Sequence, residues 1–488
     1  MESALSPTPS GGIARSFAAL ASGDAVGRVL AFLAGVYIAR ELGAALFGVM
    51  AFGQAVVLYF THLSACGLEL TGAREIAADP TRTRTLLPSI LAARTLVSAA
   101  LAALLSGAAL AWLPPLDAAV VSLYSLTLFG HGPSPKFALV GLSRPGPVAF
   151  ARTAGEALYA LLVLALVRTG DDLVFVPWAQ ALGDTLAVLL MLIALRRLGH
   201  SVPLEFDWPA VRPLFARSFP LVLNILLGLL IFNSDLLVLR AFRDAETVGW
   251  YSASYQLISF LINMAGAYSL SLMPALTRAS EERGERRALY LDSLAQSLCV
   301  GLPIAVGGAL CASGLIELVF GAAYGPSGAP LAVLVASIPL MLYKDVAMVA
   351  MVVAGRERAV LRITLAAVLF NLAANLLVIP RLGMVGAAAT TLATEALRMG
   401  LGAWHVRGLG LPLLSPARLW RSALAALAMA LAVAFVPLPT LSVPLAGHSI
   451  EVPAVLCSVV LGALVYASAL AASGGLRWRR GALPRLEV

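Results

Sequence analysis

The chain has 488 residues, 60% of them hydrophobic and only 12% charged, with a formal net charge of +8. A soluble globular chain carries roughly 25% charged residues, so a mean hydropathy of +0.90 excludes a soluble domain built on one core. The positive balance is almost all arginine, Lys136 and Lys344 being the only lysines; no basic stretch is interleaved with aromatics on a polar domain, which argues against nucleic acid.

In chain order, the polar start MESALSPTPSGG has no cleavable signal pattern, so the first apolar run is expected to stay as an anchor. That run, Ile13 to Arg40, is long enough to cross a bilayer yet carries Asp24 and Arg28 near its middle. A charge at mid-membrane costs at least about 2.5–3.5 kcal/mol. At i,i+4 spacing the two side chains share one helical face and partly neutralise each other. Such a face must look at protein or at a water-filled cavity, and the rest of the chain has to supply it.

About fourteen runs are long enough to span. Six lie at roughly 16–39, 47–71, 87–112, 117–139, 147–168 and 174–196, and eight at 218–241, 248–275, 291–320, 329–354, 360–380, 384–406, 418–436 and 452–473. The fourth is the least regular, since four prolines and several glycines interrupt it between His131 and Pro147. The reading is an all-α polytopic membrane protein with residues 1–196 as a first six-helix lobe and 197–217 as a cytoplasmic interfacial linker. Residues 218–407 form a second six-helix lobe, and 408–488 two further helices with a basic tail.

Arginines orient the stack. With a cytoplasmic N-terminus, the inner loops receive Arg74, Arg82 and Arg84, then Lys136 and Arg144, and further clusters down to the tail; the outer loops receive only Arg40, Arg168, Arg240, Arg243 and Arg381. This is the positive-inside asymmetry, and it predicts that both termini are cytoplasmic. An internal echo supports two lobes. ARELGAALFGVMAFGQAV (Ala39 to Val56) and LRAFRDAETVGWYSASYQLI (Leu239 to Ile258) each pair an arginine closing one span with a glycine and then a glutamine, Gln54 or Gln256, in the next. An even number of spans separates the copies, so the repeats are parallel, and transporters of that kind place their sites between the repeats.

Little in the sequence carries catalysis. There is no GxSxG, P-loop, HExxH or dinucleotide fingerprint, and the outer loops are too short for the active sites of a membrane glycosyltransferase or polymerase. Cys66, Cys299, Cys311 and Cys457 are scattered in apolar segments with no Cys/His cluster, so neither metal nor cofactor is expected. The signal that remains is the intramembrane ionisable set. Arg28 and Lys344 are candidate contacts for a pyrophosphate-bearing head group, because arginine matches phosphate oxygens and keeps its proton; Arg94 is a weaker candidate that could instead snorkel. Asp24, Asp235 and Asp184 are candidate counter-ions or ion-coupling carboxylates. Asp184 has no partner nearby in sequence, and Asn224, Asn233 and Asp235 suggest a wet face on the seventh span. Asp345, about 100° around the helix from Lys344, is expected to be a poor partner. Arg152 with Glu156 and Glu395 with Arg398 read as structural pairs.

Four stretches, in order, resemble the polysaccharide flippase branch of the multidrug/oligosaccharidyl-lipid/polysaccharide exporter superfamily. They are IARELGAALFGVMAFGQAV with CGLELTGAREIA, KFALVGLSR, FPLVLNILLGLLIFNSDLLVLRAFRDAETVGWYSASYQL with LMPAL, and AGRERAVLRITLAAVLFNLAANLLVIPRLGMVGAAATTLATE. The resemblance covers roughly residues 15–475. It implies two six-helix lobes plus two C-terminal helices, alternating access, and an undecaprenyl-pyrophosphate-linked oligosaccharide moved across a bacterial inner membrane for O-antigen, capsule or exopolysaccharide. Polysaccharide polymerase and glycosyltransferases would be the functional partners, with a proton or sodium ion as a coupling cation. Arg28 matches the first-helix cations that related peptidoglycan-precursor flippases place in a central cavity. A cation-coupled multidrug antiporter of the same superfamily is the alternative, and a membrane glycosyltransferase or polymerase the weaker one.

Overall fold

A computed structural model of the protein describes residues 9–200, 207–279, 284–413, 416–436, 440–445, 448–477 and 485–486; side chains are described from residue 25 on, except at 210, 263–271, 416–418, 441–445, 448–452, 476–477 and 485–486. The helices are α1 (Pro9–Ser64), α2 (Leu68–Ala78), α3 (Thr83–Trp112), α4 (Pro115–Tyr124), α5 (Thr127–His131), α6 (Lys136–Gly141), α7 (Pro145–Leu166), α8 (Phe175–Arg197) and α9 (Trp208–Phe242). They continue as α10 (Ala245–Arg278), α11 (Glu285–Leu310), α12 (Ala312–Phe320), α13 (Gly328–Val335), α14 (Ile338–Val353), α15 (Glu357–Arg407), α16 (Pro416–Phe435) and α17 (Ala454–Ala472). Two of these are double. Gly43 (φ 74°, ψ 171°) breaks α1 and Gly383 (φ 57°, ψ −135°) breaks α15, each reversing the helix path within one residue. Both conformations lie where only glycine goes without strain. With those joints counted, and with α4–α6 taken as one interrupted crossing, the chain is the polytopic bundle of about fourteen spans that the hydropathy predicts.

The chain divides into two compact units, Met1–Leu229 and Leu230–Val488, the boundary falling within α9. In the first, α1 packs on α7 and α7 on α8. The α7–α8 crossing is a backbone contact: a methyl placed on Gly155 would sit 2.6 Å from the Gly183 carbonyl oxygen, and one on Gly183 2.6 Å from that of Gly155. Hydrocarbon gives apolar side chains no drive to leave it, so small residues that let backbones meet are what hold such helices together.

The second half of the expected linker is helix. Trp208 to Arg217 form the start of α9, and Val211 and Leu214 are buried in a core with Leu68, Ile76, Leu86 and Phe137. Ser218 and Thr71 hydroxyls lie 2.7 Å apart, and Arg217 pairs with Glu75 at 3.5 Å. In the sequence, Arg212, Pro213 and Arg217 conceal the i,i+3 apolar pair Val211 and Leu214.

In the second unit, Leu272, Tyr290, Leu294, Val346, Met351 and Ile363 form the core of α10, α11, α14 and α15. Helices α16 and α17 attach to α11 around Met429 and Cys299, and Tyr466 Oη donates to the Cys299 carbonyl at 2.6 Å. All four cysteines are free. The link between α16 and α17 contains an antiparallel pair, β1 (Leu441–Leu445) and β2 (His448–Val452); a two-residue pair, β3 (Leu476–Arg477) and β4 (Arg485–Leu486), follows α17. Arg243, one of the few arginines in the predicted outer loops, closes a helix end. Its Nη2 donates to the Pro380 carbonyl at 2.9 Å and the Arg381 carbonyl at 3.4 Å, oxygens that the break at Gly383 leaves without helical donors.

Candidate functional site: a mixed-charge cavity in the first unit

The interrupted fourth span makes the site. In an unbroken helix the His131 carbonyl would accept from the nitrogen of residue 135, but that residue is Pro135, which has no N–H. The Ser134 carbonyl is likewise without its helical donor, since the Ala138 N–H goes to Pro135. The His131 carbonyl keeps only a long 3.3 Å bond from the Ser134 N–H, and carbonyls that lose their helical donors inside a bilayer need donors from elsewhere in the protein. Arg94 from α3 supplies them: Nη2 donates to His131 O at 2.8 Å and Nη1 to Ser134 O at 3.1 Å. With 1% of its side chain exposed, Arg94 is a staple of the fold as well as a cavity wall, and it does not snorkel.

Around this staple a cavity of about 460 Å³ opens, lined by α1 (Gln54, Thr61, His62), α2 (Glu69), Arg94, the broken span (His131, Ser134, Lys136), α7 (Arg152, Glu156) and α8 (Gln180, Asp184). Val57, Leu58, Val188 and Met191 complete the wall. Glu69 answers two cations, Arg94 Nη2 at 3.4 Å and Lys136 Nζ at 3.6 Å. Asp184 comes from the α7–α8 crossing, next to Gly183, and its Oδ2 lies 3.6 Å from His131 Nε2. That is too long for a hydrogen bond, and Oδ2 is buried without one. Three carboxylates, three permanent cations and two histidines therefore share one partly open cavity, with nearly balanced charge.

Of the residues singled out in the sequence, Arg94 and Asp184 meet in this cavity. Asp184 is not without partners: His131 faces it, and Gln180 lies within hydrogen-bonding reach. Arg28 is exposed on α1, close enough to Glu156 for their charges to interact, while its neighbour Gly27 packs on the Glu156 stem. The Asp24 side chain lies outside the described residues. Asn224 is exposed and Asn233 half-buried on α9.

The second unit corrects two expectations. Asp235 faces no wet surface. It is 1% exposed, accepts a hydrogen bond from Tyr251 Oη and takes the Leu236 N–H at 2.8 Å. Beside it Ser234, Asn371, Asn375 and Thr394 form a buried ladder, with Asn375 Nδ2 donating to Asn371 Oδ1 at 3.0 Å and Asn371 Nδ2 to Thr394 Oγ1 at 3.0 Å. Lys344 is buried too, its Nζ 3.1 Å from Asp345 and 3.2 Å from Glu395. Asp345 is thus a partner after all, because the long lysine stem swings across the angle between the two Cβ directions. Glu395 also binds Arg398 at 2.7 Å, as the sequence pair implies.

The charged and amide cavity contributors missed in the sequence are Glu69, His62, His131, Lys136, Gln54 and Gln180. Lys136 and His131 flank the prolines of the broken span, and that combination was the available signal.

Residues 13–280 match the profile of a family described as polysaccharide biosynthesis protein. No curated protein matches the chain in sequence. In fold, the chain is similar to the lipid II flippase MurJ in an inward closed conformation (TM-score 0.74, 14% identity, 93% of this chain and 98% of that one). It is also similar to an inward-facing multidrug resistance MATE family transporter of the MOP superfamily (TM-score 0.63, 13% identity, 79% and 95%). A third is a MOP superfamily transporter from Pyrococcus furiosus noted for reversed polarity of its binding pocket (TM-score 0.56, 14% identity, 81% and 96%).

Proposed function

The chain belongs to the polysaccharide biosynthesis protein family, and on that premise we propose that it flips an undecaprenyl-pyrophosphate-linked oligosaccharide from the inner to the outer leaflet of a bacterial inner membrane by alternating access, with both termini cytoplasmic. Polymerase and glycosyltransferases would act after and before it in building a surface polysaccharide. The observation that carries this reading is the mixed-charge cavity of the first unit. A sugar chain is a neutral array of hydroxyls, each a donor and an acceptor, and a wall alternating carboxylates, cations and amides meets both needs without an excess of either sign. The buried, unbonded Asp184 Oδ2 is an acceptor ready for such a hydroxyl. Arg28, exposed beside this wall, is the proposed pyrophosphate contact; Lys344, buried and neutralised, is not. Energy would come from a cation gradient or from the membrane potential, the latter worth about 2.3 kcal/mol per charge per 100 mV.

The test is Arg28→Ala beside Arg28→Lys in the native host, measuring surface polysaccharide and lipid-linked precursor at matched protein levels. The expected result is loss of export with precursor accumulation for Arg28→Ala and partial retention for Arg28→Lys. Normal export by Arg28→Ala would sink the phosphate role. A second reading, a cation-coupled multidrug antiporter, is favoured by the same Asp184 oxygen together with Glu156, since two carboxylates in one cavity can exchange a proton or sodium ion. It predicts that deletion sensitises cells to cationic drugs and leaves surface polysaccharide intact.

A further inference from the structure

A second cavity, of about 690 Å³, lies in the second unit at the ends of α14 and α15, and no step of the proposed transport uses it. Its lining includes Arg356, Arg362 and Arg407, with His405 and Trp404. The backbone fixes these residues. Gly355 (φ 69°) and Gly410 (φ 74°) reverse the chain after α14 and α15. The Arg356 N–H then donates back to Met351 O at 2.9 Å, and the Leu411 N–H to Val406 O at 3.3 Å, closing both helix ends in the same six-to-one pattern. His405 Nδ1 donates to Leu401 O at 2.9 Å, so the ring is oriented and Nε2 is left over. Trp404 meets His405 edge-on at 4.7 Å and is 68% exposed.

Among the described residues no carboxylate pairs with Arg356, Arg362 or Arg407, and no protein acceptor takes their guanidinium protons; Glu357 is the nearest acid in sequence. The three guanidiniums are exposed at the rim of the cavity, whereas the buried cations Arg94 and Lys344 have protein partners, Arg94 on carbonyls and Glu69 and Lys344 on Asp345 and Glu395. Three unneutralised arginines around one concave space repel one another, and an anion is what lowers that energy. The fork geometry of guanidinium suits the oxygens of a phosphate, and an exposed tryptophan beside them is the side chain that sits at head-group depth in a bilayer.

We propose that this cavity holds the phosphate of an anionic membrane phospholipid, with Arg356, Arg362 and Arg407 on the phosphate oxygens and Trp404 against the upper part of an acyl chain. Its occupant is a resident lipid of the surrounding leaflet, distinct from any transported molecule, and the proposal stands whether the chain moves oligosaccharides or drugs. Bound there, the lipid ties the start of α15 to its end and so braces the two spans that meet at Gly383.

Lipid-depleted full-length protein in a mild detergent is titrated with phosphatidylglycerol and binding is read by native mass spectrometry. One tight site is expected, with phosphatidylcholine binding at least roughly tenfold more weakly. At about a fivefold loss for each cation removed, R356Q, R362Q or R407Q alone weakens the site roughly fivefold and the triple variant roughly 100-fold, while the triple Arg→Lys variant stays within roughly tenfold of the parent. The three single substitutions are at exposed positions, so the result does not hang on the triple variant folding. Unchanged phosphatidylglycerol binding in the single Gln variants, or equal binding of phosphatidylcholine, overturns the proposal. Displacement of phosphatidylglycerol by millimolar inorganic phosphate also overturns it, assigning the cavity to a soluble anion.

Discussion

Replacing Glu395 should unbalance the second unit far more than replacing Lys344. Glu395 is fully buried and stands between two cations, Lys344 Nζ at 3.2 Å and Arg398 Nη1 at 2.7 Å. At an effective dielectric of about 20, opposite charges at such separations attract by about 5–6 kcal/mol each before desolvation is counted. Glu395→Gln removes both attractions while leaving both cations buried, and breaking a buried pair from one side costs about 3–5 kcal/mol. Lys344→Met is gentler. Glu395 keeps its Arg398 bond, Asp345 is one-third exposed and can be hydrated, and the loss is that of one charged contact, about 2 kcal/mol. The assay is thermal unfolding of the purified protein in detergent, with surface polysaccharide measured in cells at matched protein levels. Glu395→Gln should show the larger drop in midpoint, and the double variant should lose less than the sum of the two singles because they share one interaction. Lys344→Met should still export. If Lys344→Met were the more damaging for stability, the network as described is wrong; if it folded normally and abolished export, Lys344 would belong to the transport path after all.

Four further expectations follow from other sites. Gly155→Val or Gly183→Val forces α7 and α8 apart where backbone oxygens lie within 2.6 Å of the added carbon, costing about 1–3 kcal/mol or more; it should lower both the unfolding midpoint and export by displacing Asp184. Arg94→Lys should destabilise the chain by about 3 kcal/mol, since one ammonium cannot reach two carbonyls and Glu69 together. Lys136→Gln, at a side chain 39% exposed, should change stability by less than about 1 kcal/mol yet reduce export, a split readable by running both assays on both variants. Asp244 caps α10 by accepting the Thr247 N–H at 2.8 Å, and hydrogen bonds from the Thr247 side chain and backbone hold its carboxyl below the usual 3.8. Because the folded form is the more acidic, the cap stabilises fully above that value and is lost as pH falls through the folded pKa. Asp244→Ala should therefore cost about 1 kcal/mol at neutral pH, and the gap to the parent should close as the solution is acidified below 3.8.

Most of the bundle was legible because hydropathy and arginine placement are properties of single stretches. A run of twenty apolar residues declares itself without reference to anything else in the chain. What stayed hidden depended on partners distant in sequence. Asp184 looks isolated in its own helix, and only packing brings His131 to it from 53 positions away (184 minus 131). Asp235 beside two asparagines reads as part of a wet stripe, whereas Tyr251 and the Asn371–Asn375 ladder bury Asp235 itself while Asn224 stays exposed. The helix before residue 218 was obscured because Arg212, Pro213 and Arg217 outweigh Val211 and Leu214 in any average, although the latter two set which side is buried. Lys136 counts as an inner-loop cation in the arginine and lysine asymmetry, whereas the prolines beside it break the span and place it in the cavity.

The glycine joints at Gly43 and Gly383 have a mechanical side. An ordinary loop between two spans is a slack tether that lets them tilt and slide independently. A joint of one residue leaves two soft torsions between long rods, and little else can yield. Each jointed pair then behaves as a crank: rotation of one arm is delivered to the other with almost no play, near one bilayer surface, while the far ends sweep the largest arc. In α15 those far ends, Glu357 and Arg407, flank the arginine cavity, so a lipid bound there acts on the crank where its leverage is greatest.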